Sequence, residues 1–179
     1  MPKGATRLVR YGGAMSLDGY IAGPNGEYDW IVIDPEIDFA GMSAQFDTYL
    51  IGRKTFDAMR RMGNAAKTTP GIENIVFSRT LNQRDHPNIT IRADAERAVA
   101  ELRRLPGKDI ALFGGGDLFR SLLAAGLVDR VEVNVIPVLL GGGIPLLPSP
   151  AGRARLRLRK QRVYAKTGTI GLEYDITRT

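Results

Sequence analysis

The chain has 179 residues, 44% hydrophobic and 25% charged, which is the composition of an ordinary globular domain. It contains no cysteine and one histidine, His86, which excludes disulfide frameworks, thiolate metal sites, cysteine nucleophiles and sites built from two histidines. No apolar run could cross a bilayer and no signal-peptide pattern opens the chain, so we predict a cytoplasmic protein, while the net charge of +6 favours phosphate-bearing partners.

Hydrophobic periodicity and turn signals predict strands that alternate with helices. In chain order, the predicted elements are a strand at 8–15, a helix at 38–47, a strand at 48–51, a helix at 55–62, strands and helices at 74–77, 93–105, 109–113 and 118–125, and strands at 131–138, 153–165 and 169–176. The turn-rich stretch at 16–30 fits either a hairpin or a loop over a ligand. This order predicts a single α/β domain over 1–179, with a largely parallel mixed sheet and an antiparallel C-terminal hairpin.

The first of three predicted strand-to-helix junctions carries groups that suit phosphate. Gly52 ends a short strand, and Arg53, Lys54 and Thr55 open the next helix. Backbone N–H groups at a helix start favour an anion, and these side chains can each donate to phosphate. A solvated, basic first turn explains the same residues equally well.

The second junction is rich in glycine. Gly114, Gly115 and Gly116 precede Asp117, and consecutive glycines let the backbone pass close to a ligand. Phe119 stands where the dinucleotide fingerprint requires glycine, which disfavours a standard Rossmann domain but leaves pyrophosphate binding open. A tight structural turn is the alternative.

The third junction places Ser78 and Arg79 after the strand at 74–77. A guanidinium there would favour a 2′-phosphate, hence NADP over NAD, although arginines at strand ends are also common on surfaces. Ligands of α/β sheets bind at the carboxyl ends of the strands, so we expect the three junctions to meet at one edge.

Together with the start of the chain, the junctions match a known family along five segments: SLDGYIAG, LIGRKTFDAM, NIVFSRTL, LFGGGDLFRSLL and VDRVEVNVIPVLLGGGIPLL. The chain resembles the dihydrofolate reductase-like superfamily, and most closely the C-terminal reductase domain of bacterial riboflavin-biosynthesis deaminase-reductases, in a stand-alone form. The resemblance implies a three-layer fold and an NADPH-dependent reductase of a small heterocyclic or ribosylamino substrate, most closely 5-amino-6-(5-phosphoribosylamino)uracil. Dihydrofolate reductase activity is the alternative. The family's zinc deaminase half needs cysteines, so the resemblance implies the reduction only.

The resemblance also implies which residues bind NADPH: Ala14, Ile21, Gly52, Arg53, Lys54, Thr55, Ser78, Arg79, Gly114, Gly115, Gly116, Asp117, Leu118 and Phe119. It implies that Gly142 and Gly143 bound the substrate side, and it implies no metal. The one tryptophan, Trp30, either forms a wall of the pocket or anchors the first loop.

Acidic residues near the first loop are candidates for proton transfer. Asp18 is the predicted proton donor, because it lies on the loop expected beside the nicotinamide, although Asp18-Gly19 is also an ordinary turn pair. Dihydrofolate reductases carry an acidic residue on the following helix. Asp34, Glu36 and Asp38 align ambiguously with it, which leaves that choice open.

A basic module that binds nucleotide or nucleic acid is the rival hypothesis. The segment from Arg153 to Arg162 holds six cations and no acid, which accounts for the whole net charge. Its arginines alternate with apolar residues, as in a half-buried strand, and lack the interleaved aromatic residues of nucleic-acid sites. We therefore predict a small-molecule substrate, with no nucleic acid or membrane partner. Terminal strands need neighbours, which predicts a homodimer.

Overall fold

The computed structural model describes residues 6–63 and 69–177, which contain ten strands and four helices. The strands are β1 (Val9–Ser16), β2 (Tyr20–Ala22), β3 (Phe46–Gly52), β4 (Glu73–Phe77), β5 (Thr90–Arg92), β6 (Asp109–Gly114), β7 (Arg130–Ile136), β8 (Ile144–Pro145), β9 (Arg155–Tyr164) and β10 (Thr169–Thr177). The helices are α1 (Phe39–Ser43), α2 (Arg53–Arg61), α3 (Ala95–Leu102) and α4 (Gly116–Ala124). No helix within these ranges is long and apolar enough to span a membrane.

Eight strands form one sheet in the order β5-β4-β3-β6-β1-β7-β10-β9. The six strands from β5 to β7 are parallel to one another, whereas β10 pairs antiparallel with β7 and β9 pairs antiparallel with β10. β2 and β8 form a separate antiparallel pair. The predicted mixed, mostly parallel sheet with an antiparallel C-terminal hairpin is confirmed.

Helices cover the two faces of the sheet unequally. On one face α3 and α4 pack against the main hydrophobic core, where the Tyr11 and Phe119 rings stack with centroids 3.9 Å apart. On the other face α2 seals a smaller cluster around Ile51, Phe56 and Val76. Because α1 is only five residues long and buries no side chain, the centre of this second face stays open. The open region is where the site lies.

Long-range pairing overrides the local pattern at the predicted helix over 38–47. The helix ends at Ser43, and Phe46 instead begins β3, opposite Asp109 of β6. The Arg10 guanidinium lies 4.6 Å from the centroid of the Phe46 ring, which fixes that ring against β1. The prediction that this helix extends to residue 47 is therefore wrong.

Other differences lie at element ends and in short strands. Helix α4 begins two residues earlier than predicted, at Gly116, and α2 begins at Arg53, as the first junction predicts, rather than at residue 55, where its apolar pattern starts. The stretch at 16–30 contains β2, whose partner is the distant β8 rather than a neighbouring strand of a local hairpin. The three-residue β5 is not predicted, because so short a strand carries no periodicity of its own.

The hairpin of β9 and β10 separates charge from apolar surface. Arg155 and Arg157 lie on one face of β9, and Leu156 and Leu158 lie on the other, as the alternation predicts. A bulge at Arg159 then shifts the register, so the alternation restarts beyond that residue. The cationic strand face is therefore a local feature of this edge of the sheet.

Replacing Phe119 with alanine should lower the free energy of unfolding by about 3–5 kcal/mol, because it empties a core position and removes the stack with Tyr11. Phe113→Ala is a matched control, since the Phe113 side chain is 51% exposed, and it should cost about 1 kcal/mol or less. Urea denaturation measures both losses. Equal losses would contradict this assignment of the core.

Candidate functional site

The first two predicted junctions touch through their backbones. A Cβ atom on Gly52 would lie 3.2 Å from the Gly115 nitrogen, and one on Gly115 would lie 3.0 Å from Thr55 Oγ1. The peptide bond between Gly114 and Gly115 is cis. The ends of β3 and β6 therefore approach so closely that side chains at these glycines would meet their neighbours.

Side chains join the first junction to the other two. Arg53 Nη1 donates to Ser78 Oγ at 3.5 Å and to Thr80 Oγ1 at 2.9 Å, which connects α2 to the end of β4. Lys54 Nζ lies 3.2 Å from Asp117 Oδ2, which connects α2 to the start of α4. We call these three junctions, residues 52–55, 78–79 and 114–117, the junction edge. The structure brings them together as predicted.

Two helices begin at the junction edge without a side-chain cap. Asp38 and Asp94 cap α1 and α3 through their carboxylates, whereas α2 and α4 follow Gly52 and Gly115, which cannot do so. The first N–H groups of α2 and α4 and the positive ends of both helix dipoles therefore face the same region. This arrangement favours an anion with several oxygens.

The cations of the junction edge differ in how free they are. Arg53 Nε donates to Asp57 at 2.7 Å, so its guanidinium is already held by the protein. The Lys54 side chain is 91% exposed and can move to a ligand. Arg79 is exposed and forms no hydrogen bond or ion pair with residues 6–63 or 69–177. Lys54 and Arg79 are therefore the cations best placed to reach a bound phosphate.

Three of the predicted cofactor residues have other partners. The Leu118 and Phe119 side chains are buried in the core, Phe119 against Tyr11, and do not face the cleft. The Asp117 carboxylate lies within ion-pair distance of Lys54 and Arg120. An ionised carboxylate cannot donate to phosphate, so only the backbone N–H of Asp117 suits that task.

A long cleft of about 590 Å³ starts at the junction edge and runs along the open face of the sheet. Its lining includes four predicted residues: Ala14, Ile21, Thr55 and Gly114. A second cavity of about 300 Å³, which we call the apolar cavity, lies between α1 and the sheet. The two spaces share six lining residues: Gly12, Gly13, Ala14, Ile31, Tyr49 and Phe113. They are therefore two ends of one continuous site.

Tyr49 and Phe113, two aromatic residues that the sequence analysis missed, stand where the spaces join. Their rings stack with centroids 5.8 Å apart and planes 18° from parallel. The Tyr49 hydroxyl lies 3.1 Å from Ser43 Oγ of α1. Tyr49 lies three positions before Gly52, and Phe113 lies one position before Gly114. An aromatic residue shortly before the glycine that ends a strand was the available signal.

Asp18 ties the first loop to the glycine-rich stretch before β8. Its carboxylate accepts hydrogen bonds from Ser16 Oγ at 2.6 Å, from the Gly141 nitrogen at 2.7 Å and from the Leu140 nitrogen at 3.1 Å. The Ser16 hydroxyl and these backbone N–H groups lower the pKa of Asp18. An ionised, hydrogen-bonded carboxylate carries no proton to donate at neutral pH. The predicted proton-donor role stays a prediction, and these contacts favour a structural role.

The predicted substrate-side residues also support the first loop. Gly143 packs against the backbone of Ala22, and Gly142 precedes it in the same turn. Trp30 Nε1 donates to the Glu27 carbonyl at 3.1 Å, which fits the loop anchor rather than the pocket wall. None of the three lines the long cleft or the apolar cavity.

The three ambiguous carboxylates have structural partners. Asp34 is buried and accepts from the Glu36 nitrogen at 2.9 Å and from Thr167 Oγ1 at 3.0 Å, and the first of these bonds is the main cause of its lowered pKa. Glu36 pairs with Arg162 at 3.2 Å. Asp38 caps α1. None of the three lines either space, so this segment offers no free carboxylate to a substrate.

Comparison with known proteins gives consistent results. The family described as the RibD C-terminal domain matches residues 7–170. The Bacillus subtilis protein YyaP is 35% identical over 171 residues, which cover 90% of both chains. A crystal structure from a Shewanella species, described as a putative riboflavin biosynthesis protein, aligns with a TM-score of 0.80 and 23% identity over 96% of this chain and 99% of that one. Enterococcus faecalis dihydrofolate reductase in complex with NADP(H) aligns with a TM-score of 0.69 and 16% identity, over 96% and 97% of the chains.

An NMR titration should place the pKa of Asp18 below its ordinary value of 3.8. A carboxylate with a lowered pKa stabilises the fold above the unfolded-state pKa, and that contribution is lost as the pH falls through the folded-state value. Asp18→Asn should therefore weaken the acid dependence of stability. It should also speed amide exchange at Leu140 and Gly141 at neutral pH. Asp29→Asn, at an exposed position of the same loop, is the control, and identical exchange in both variants would contradict the tether.

Proposed function

The chain belongs to the RibD C-terminal domain family, and from this we propose that it is an NADPH-dependent reductase of a small heterocyclic substrate. The observation that carries the proposal is the meeting of two uncapped helix starts at one end of a long cleft. That end suits the phosphates of a dinucleotide, and the other end opens into an apolar cavity sized for a ring compound.

The residues at the junction edge fit NADPH. The N–H groups at the starts of α2 and α4, with the Thr55 hydroxyl and Lys54, would hold the pyrophosphate, because all of them are donors and the two turns lie in contact. Arg79 and Ser78 would hold the 2′-phosphate. The chemistry that NADPH supplies when bound is a hydride, which makes a C=N or C=O bond of the substrate single once its heteroatom takes a proton from water.

The chain itself would position the nicotinamide and the substrate relative to each other. Ala14 lines both spaces, so the nicotinamide and the substrate would meet beside it, with Ile21 on the cofactor side. The Tyr49–Phe113 stack gives a flat ring an aromatic surface to pack against. Asp18 holds the first loop in place over this region. Bringing the two reactants together in the correct orientation is the contribution that hydride transfer needs most from a protein.

Two substrates follow from the family and its neighbours. The family supports a reductase of the riboflavin-pathway kind, for which 5-amino-6-(5-phosphoribosylamino)uracil is the first compound to test. The likeness in fold to dihydrofolate reductase makes dihydrofolate the second. Oxidation of NADPH in the presence of each compound, followed by the absorbance of the reduced nicotinamide, distinguishes them.

The predicted cytoplasmic location of the protein also stays a proposal.

The rival hypothesis, a basic nucleic-acid module, loses its main support. The cations of β9 lie beside carboxylates: Arg157 pairs with Asp175 at 3.1 Å and Lys160 with Glu173 at 3.6 Å. Paired cations offer less charge to a phosphate backbone than the net charge of +6 implies. Failure of the wild-type protein at micromolar concentration to bind excess NADPH, measured by nucleotide fluorescence, would overturn the reductase proposal and revive the rival.

We also propose a homodimer that forms through the apolar face of β9 and β10. Leu156, Leu158, Val163 and Ile170 lie on this face and are each at least 40% exposed, although they continue the face that packs the main core. An exposed apolar sheet face of this kind is covered by a matching face in many symmetric dimers.

Sedimentation equilibrium should give twice the monomer mass for the wild-type protein and the monomer mass for the Leu158→Lys/Val163→Lys double variant, because two buried charges would oppose association. Leu139→Lys, at an equally exposed leucine outside the hairpin, is the control and should stay dimeric. A monomeric wild-type protein would contradict the proposed interface.

Arg79→Ala should weaken NADPH binding by about 10- to 100-fold, which corresponds to the roughly 1.5–3 kcal/mol of a charge-assisted hydrogen bond. NADH lacks the 2′-phosphate, so its affinity should stay the same. Arg104→Ala removes an exposed arginine beyond the end of α3 and is the control. An equal loss for both nucleotides would show that Arg79 does not read the 2′-phosphate, without overturning the reductase.

A further inference from the structure

Exposed hydrophobic side chains gather around the apolar cavity. Val32, Ile33, Phe39, Met42 and Phe113 are each between 41% and 63% exposed, and all five line this one space. Large apolar side chains that stay in contact with water around a concave surface are typical of a ligand site rather than of a packed core. The cavity is also continuous with the long cleft, so its ligand would lie against the proposed nicotinamide position.

The charged groups of the apolar cavity neutralise each other. Arg10 donates to Glu132 through Nε at 2.6 Å and through Nη2 at 2.8 Å, and its Nη1 donates to Gln45 at 2.8 Å and to Asp109, outside the cavity, at 3.3 Å. The segment at 27–47, which supplies α1 and the outer wall, contains no lysine or arginine. A phosphate or carboxylate in this cavity would therefore lose its hydration without gaining a free cation, which is unfavourable.

Among the described residues, a groove of about 480 Å³ adjoins the apolar cavity, shares Arg10, Glu132 and Asn134 with it, and offers cations to an anionic tail. Its basic side chains lie beside carboxylates: Arg130 and Arg159 near Asp175, Lys160 near Glu173 and Arg162 near Glu36. An anion would have to displace these partners. The groove is therefore a weaker candidate than the apolar cavity for the substrate site.

Asn134 is a polar residue of the cavity whose carboxamide is available to form hydrogen bonds with a ligand. It lies on β7, between Ala14 of β1 and Gly171 of β10, and its side chain forms no hydrogen bond within the described part of the chain. Gly171 lies in the adjoining groove, which Asn134 also lines, and a Cβ atom on Gly171 would lie 3.1 Å from Asn134 Oδ1. A neutral carboxamide donates and accepts at the same time, which matches the N–H and C=O groups along one edge of a lactam ring.

We infer that the substrate is an uncharged, planar ring compound that lacks phosphate and carboxylate groups, and that Asn134 determines specificity by binding its lactam edge. This inference rests on the proposed reductase. The ring would bind in the apolar cavity and pack against Tyr49 and Phe113. The phosphoribosylamino compound and dihydrofolate both carry anionic groups, so we expect each to bind more weakly than a neutral heterocycle.

Calorimetric titration with lumazine and with 6-carboxylumazine tests the inference, because the two probes share a lactam-edged ring and differ by one carboxylate. Lumazine should bind the wild-type protein, with and without saturating NADP⁺, roughly tenfold or more tighter than 6-carboxylumazine. Asn134→Leu should weaken lumazine by roughly tenfold, because it leaves the ring's polar edge unpaired. Asn134→Gln should restore part of the loss. Asn88→Leu, at an exposed asparagine, is the control.

The outcomes separate this inference from the proposed function. Unchanged NADPH affinity in Asn134→Leu shows that the variant is folded, so unchanged lumazine affinity would then overturn the role of Asn134. Tighter binding of 6-carboxylumazine than of lumazine would overturn the neutral-ring inference and point to the cationic groove. NADPH binding with no lumazine binding would overturn only this inference, whereas lumazine binding without NADPH binding would overturn only the proposed reductase.

Discussion

The site depends on how closely two turns approach each other. Gly52 and Gly115 bring the ends of β3 and β6 so near that a Cβ atom on Gly52 would lie 3.2 Å from the Gly115 nitrogen and 3.3 Å from the Gly114 oxygen. That approach places the starts of α2 and α4 side by side and leaves Thr55 between them. The anion binding that we propose for this edge therefore depends on backbone geometry first and on cations second.

A buried ion pair determines the other end of the site. Arg10 of β1 and Glu132 of β7 pair across adjacent strands, and the same guanidinium lies over Phe46 at the start of β3. The pair satisfies two charges that would otherwise select a charged ligand, which leaves the apolar cavity without net charge. One side chain thus both contacts the Phe46 ring at the start of β3 and neutralises Glu132 in the cavity.

The features that the sequence predicted are those with local signals. Short apolar runs bounded by turn residues located β1, β4 and β6, and glycine or polar residues at the strand ends located the three junctions. Phe46, β2 and β5 could not be predicted, because their conformations depend on partners far along the chain. The same reason left Asp34 and Glu36 ambiguous, since their partners, Thr167 and Arg162, lie more than 120 residues away. The binding roles of the junction residues stay predictions, while their convergence is a structural fact.

The position of β1 has a consequence for how the chain is made. This strand leaves the ribosome before its two sheet neighbours, β6 and β7, which begin at residues 109 and 130. Val9 and Tyr11, both buried in the finished core, therefore stay without their partners until most of the chain has been synthesised. Such non-local pairing slows folding and exposes apolar surface in the nascent chain. β1, which lies between β6 and β7, is therefore synthesised before the strands that bury it.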